Sequence, residues 1–79
     1  MSEKLSIELA TGDDPDPLTR IIVVCERRRY RVESLAYDRF HGPDRGRVVL
    51  VVDGEGRSVD RLCTWLGNLV GVLAVSEED

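Results

Sequence analysis

The residue pattern predicts an α+β fold in the order βαββαβ, four antiparallel strands under two helices. Three observations carry this reading. Segments that alternate apolar and polar at period two exchange with segments spaced at i, i+3, i+4, i+7. Gly-, Pro- and Asp-containing turns separate them. The length, 79 residues, holds one domain.

Leu5, Ile7 and Leu9 alternate with Ser6 and Glu8, so the first strand has one buried face. Thr11-Gly12-Asp13-Asp14 ends it. In Asp14-Pro15-Asp16-Pro17-Leu18, Asp16 fits a helix N-cap and Pro17 a first helical residue. The acids suit the positive end of a helix dipole. Ile21-Ile22-Val23-Val24-Cys25 has the β-branched composition of a strand. Its flanks argue the other way. Leu18, Ile21, Ile22 and Cys25 keep helical spacing, and Glu26-Arg27-Arg28-Arg29 sets bases where a helix C-terminus wants them. The spacing predicts a helix from Pro17 to Arg28, apolar on more than one side.

Tyr30–Tyr37 reads as the second strand and Arg39–Gly46 as an exposed turn that includes the single His41. Arg47-Val48-Val49-Leu50-Val51-Val52 is almost wholly apolar, as suits a strand buried on both faces. Asp53-Gly54-Glu55-Gly56 is a further turn. From Ser58, the residues Val59, Leu62, Cys63, Leu66, Leu69 and Val70 form one helical stripe, which Gly71 stops. Val72–Val75 gives the last strand. Two right-handed crossovers in this order make a ferredoxin-like sandwich with both helices on one face.

Composition narrows the function. Fifteen acids against eleven bases leave a net charge of −4, which argues against a nucleic-acid binder. Val and Leu occupy the third strand where RNA-recognition domains carry stacking aromatics. The Arg27–Arg31 cluster reads as a solvated helix end. No apolar run approaches the roughly 20 residues of a membrane span, and the start lacks a signal-peptide profile. Cys25 and Cys63 read as small core residues of a reduced, cytoplasmic domain. No phosphate loop, metal-ligand spacing or buried carboxylate appears, so no catalytic residue, metal or cofactor is expected.

Within this pattern, Pro17-Leu18-Thr19-Arg20-Ile21-Ile22, then Arg28, Tyr30 and Val32-Glu33-Ser34-Leu35 resemble the first helix and second strand of the acetolactate synthase small subunit family. Leu66-Gly67-Asn68-Leu69-Val70-Gly71-Val72-Leu73-Ala74-Val75-Ser76-Glu77 is similar to that family's closing helix and strand. The resemblance runs from Leu5 to Glu77. It implies a single ACT domain over residues 1–79, an amino-acid-sensing module of the short, single-domain type. The implied role is a non-catalytic regulatory subunit that activates the thiamine-diphosphate-dependent large subunit of branched-chain amino acid synthesis. It also implies a homodimer, paired side by side through the first strand and first helix into one continuous sheet. The other reading is a stand-alone interaction or sensing domain without that partner.

In the family, amino acids bind beside the loop that opens the first helix. The candidate effector residues here are therefore Asp13, Asp14, Asp16, Leu18 and Arg31. Asp13 or Asp14, and Asp16, stand where the family has Asn and Gly, Arg31 where it has Asn, and Arg29 where it has Gly. Asp14-Pro15-Asp16 is closer to a valine-insensitive subclass. Pro15 and Pro17 remove backbone donors, and the acids would repel a ligand carboxylate, with Arg31 as a compensating cation close to the loop. A degenerate effector site is expected. Trp65 falls on the flank of the second helix's stripe, half-exposed, as a candidate contact for the large subunit.

Overall fold

The computed structural model describes residues 2–12 and 17–78, with the backbone alone at 40 and 41. The elements follow the expected order: β1 (Ser2–Ala10), α1 (Leu18–Arg27), β2 (Arg31–Gly42), β3 (Arg45–Asp53), α2 (Asp60–Gly67) and β4 (Val72–Glu78). The strands form one antiparallel sheet in the order β2-β3-β1-β4, the ferredoxin-like topology.

Alternation decides which face is buried. Leu5, Ile7 and Leu9 of β1 and Val48, Leu50 and Val52 of β3 are wholly inaccessible. Against them pack Ile21 and Cys25 from α1 and Leu62 and Leu66 from α2, with Tyr30 and Val59 closing one end. The β-branched run of α1 is helical because its apolar residues, taken at helical spacing, cover this sheet. Val23 has no place in the stripe and is 41% exposed.

Five expectations need correction. The cap position of α1 is held by Pro17, whose carbonyl accepts the Ile21 N–H at 3.2 Å; Asp16 lies outside the described residues. The long turn shrinks to Pro43-Asp44, since β2 runs to Gly42 and carries the backbone of His41. Asp44 takes φ 53, a left-handed conformation that Asp tolerates. Helix α2 ends at Gly67, because Asn68 and Leu69 donate to carbonyls three residues back and tighten the chain. Gly71, at φ 93, instead turns the chain into β4, and Val70 is left 79% exposed.

The fourth and fifth concern the sheet. Val49 and Val51 are only half-buried, because both helices sit on the other face and nothing described covers this one. Strand β1 lies between β3 and β4 and is hydrogen-bonded to both, so it offers no edge to a second copy. Among the described strands, only β2 and β4 have a free edge.

Candidate functional site

The described flanks of the expected effector loop meet at one end of the sheet. The Thr11 N–H donates to the Asp44 carbonyl at 3.0 Å, and the Ala10 N–H to the Gly71 carbonyl at 2.8 Å. Buried Pro17 packs on Gly71, where a Cβ would lie 3.1 Å from the proline ring. Leu18 begins α1 half-buried against the core. Asp13, Asp14 and Asp16 lie outside the described residues.

Arg31 is elsewhere. It pairs in register with Asp53, whereas Gly42 and Ala10 pair with Arg45 at the other end of β3. Eight residues of strand separate these levels, about 26 Å. The cation expected close to the loop is therefore at the opposite end of the same chain. There it faces Glu55 at 3.6 Å, with both side chains largely exposed.

That opposite end holds an elaborate side-chain cluster. Helix α1 closes on a Schellman motif: the Tyr30 N–H donates to the Cys25 carbonyl at 2.9 Å and the Arg29 N–H to the Glu26 carbonyl at 3.1 Å. The left-handed position, usually Gly, is Arg29 at φ 61. Arg57 reaches across from the β3–α2 turn. Its Nε donates to the Gly54 carbonyl at 3.0 Å, its Nη1 to the Arg28 carbonyl at 2.7 Å and its Nη2 to the Arg29 carbonyl. These bonds satisfy carbonyls that the helix end leaves without partners. The same guanidinium lies 4.4 Å from the Tyr30 ring, and the Tyr30 hydroxyl donates to the Ser58 carbonyl at 2.6 Å. Arg28 stands 4.1 Å over the ring of half-buried Trp65. Tyr30, Arg57, Ser58, Arg61 and Trp65 line an open hollow of about 300 Å³. The basic cluster is thus partly built into structure and not only solvated. Arg57 was not legible in the sequence, because its carbonyl partners come from a helix end 28 or 29 residues away.

The open sheet face carries a second network. Arg47 donates from Nε to the Ser6 hydroxyl at 2.9 Å and pairs through Nη2 with Glu78 at 2.7 Å; Lys4 approaches the same carboxylate at 3.8 Å. Every side chain in it has a partner. Burial makes both thiols weaker acids than a free cysteine. Burial pushes Cys25 up to about 11 and raises half-buried Cys63 as well. Among the described residues, no group of three His, Cys, Asp or Glu could hold a metal ion.

Residues 13–75 match the family model of the ACT domain. The chain is 28% identical over 74 residues to an acetolactate synthase small subunit of Mycobacterium bovis, across 94% of this chain and 44% of that protein. A probable acetolactate synthase small subunit of Archaeoglobus fulgidus is also 28% identical over 74 residues, across 94% and 46%. In fold, the acetolactate synthase small subunit of Thermotoga maritima superposes with a TM-score of 0.84 at 19% identity, over 100% of this chain and 48% of that one. A phospho-2-dehydro-3-deoxyheptonate aldolase of the same organism superposes at 0.65 and 14% identity, over 98% and 20%. The chain spans less than half the length of these relatives.

Proposed function

The chain belongs to the ACT domain family, and from that premise we propose that it is a non-catalytic regulatory small subunit of acetolactate synthase. It would raise the activity of the large, thiamine-diphosphate-dependent subunit in branched-chain amino acid biosynthesis, as a single domain over residues 1–79 in the cytoplasm. The observation that carries this reading is the alignment with acetolactate synthase small subunits over 94% of the chain. The test is binding: the purified chain should co-elute with the large subunit of its source organism. A chain that passes the large subunit by is instead a stand-alone ACT-type interaction or sensing domain.

The same reading includes a homodimer. A domain of this size buries only about 60% of its unfolded surface, and Val23, Val70 and Leu73 remain exposed. Of the two free edges, β2 with 12 residues is longer than β4 with 7. Antiparallel pairing of β2 with its copy would set Arg31 of one chain near the Gly42 end of the other, beside the mouth of that chain's effector loop. An effector held by both Arg31 and the loop therefore requires two copies. The charge pattern of Asp13, Asp14 and Asp16 still opposes a carboxylate ligand there, which supports a degenerate effector site.

A further inference from the structure

We propose that the hollow lined by Trp65 and Arg61, with Arg28 stacked on the Trp65 ring at its margin, docks an acidic segment of a protein partner; that the partner is a protein rests on the regulatory reading above. Charge complementarity is the first argument. Among the described residues, no carboxylate lines the hollow and neither Arg28 nor Arg61 forms an ion pair. In a chain of net charge −4, these guanidinium groups are cations left over after the internal pairs are made. Their forked N–H groups match carboxylates.

Construction is the second argument. Arg57 is consumed by three backbone carbonyls and fixes the Tyr30 wall, while Trp65 provides a half-buried apolar floor. A rigid aromatic floor beside unpaired arginines is the composition of an interface hot spot. A nucleic acid fits less well. Base stacking needs open ring faces; Arg57 lies over Tyr30 and Arg28 over one face of Trp65, so only the other face of Trp65 is left for a base.

The experiment compares the wild-type chain, R28E/R61E and K4E/R45E, a control with the same change in charge on strands β1 and β3. Each is titrated with the large subunit by isothermal calorimetry, and with a tryptophan-free peptide through emission of Trp65, the one tryptophan of this chain. Far-UV circular dichroism confirms that each is folded. The expected result is affinity about tenfold or more weaker for R28E/R61E, with the control unchanged and wild-type binding weakened by salt. Equal loss in both variants, or loss in neither, overturns the proposal. So does tight, salt-sensitive binding of a uridine 20-mer that competes with the large subunit. If the wild-type chain does not bind the large subunit, the functional reading fails. The hollow is then judged by the peptide acetyl-(Glu-Leu-Asp-Phe)3-amide: a saturable Trp65 shift lost in R28E/R61E sustains it, and no shift overturns it.

Discussion

Arg28 stacks its guanidinium 4.1 Å over the ring of Trp65, joining the end of α1 to the middle of α2. The contact shields one face of a ring that is otherwise half-open to water. Replacing Arg28 by Gln should shift Trp65 emission to the red and cost up to about 1 kcal/mol of stability. Unchanged emission would show that the ring face is not covered in solution.

Arg29 should be a site of easy stabilisation. Gly adopts φ 61 without the Cβ penalty, although its freer unfolded chain offsets part of the gain. Arg29→Gly is expected to add about 1 kcal/mol, a rise of about 4–8 °C in melting temperature for a domain of this size. A fall in calorimetry would contradict the left-handed cap.

Gly46 is buried, and a Cβ there would lie 2.7 Å from the Thr11 methyl and 3.3 Å from the Asp38 carbonyl. Gly46→Ala should cost about 1–3 kcal/mol in urea unfolding. Adding Thr11→Ser, which removes the nearest methyl, should recover part of the loss; no recovery would place the clash elsewhere.

Cys25 gives the stability curve an alkaline slope. Its thiol is pushed up to about 11 in the folded state from an ordinary value of 9.0, chiefly by burial. The unfolded chain therefore loses this proton first as pH rises above 9. Stability should fall across pH 9–11, by at most about 1.4 kcal/mol per unit from this group. Cys25→Ala should flatten that slope while lowering stability at neutral pH. At pH 8, a thiol reagent should modify half-buried Cys63 well before Cys25.

Valine at millimolar concentration should leave the backbone amide shifts of Gly12, Leu18 and Arg31 unmoved. The three acids and two prolines of the loop work against a carboxylate ligand. Saturable shifts at these positions would establish an effector site that Arg31 of a second copy completes.

These residues also mark what a sequence exposes and what it hides. Leu5, Ile7 and Leu9 announced their strand because period-two alternation is local. Helix α1 was legible despite Ile21–Val24, since spacing and flanking charges outweighed propensity. Val49 and Val51 misled because an apolar run tells nothing of how many faces the helices cover. Gly71 misled in a different way: a Gly after an apolar stripe reads as a stop, yet the chain had already tightened at Asn68. The family resemblance puts Arg31 beside the loop, while the strand register carries it to the far end of its own chain. The Arg57 cap and the Arg28–Trp65 stack arise from long-range packing, which no spacing rule encodes.

As a proposed regulatory subunit, this ACT domain should activate a catalytic partner. The direct measurement is the rate of acetolactate formation by the large subunit as the purified chain is added to stoichiometric excess, with and without valine. The account predicts a rise that saturates near one chain per large subunit and that valine does not reverse. A rate that stays flat through the excess, in mixtures where the large subunit is itself active, would contradict it.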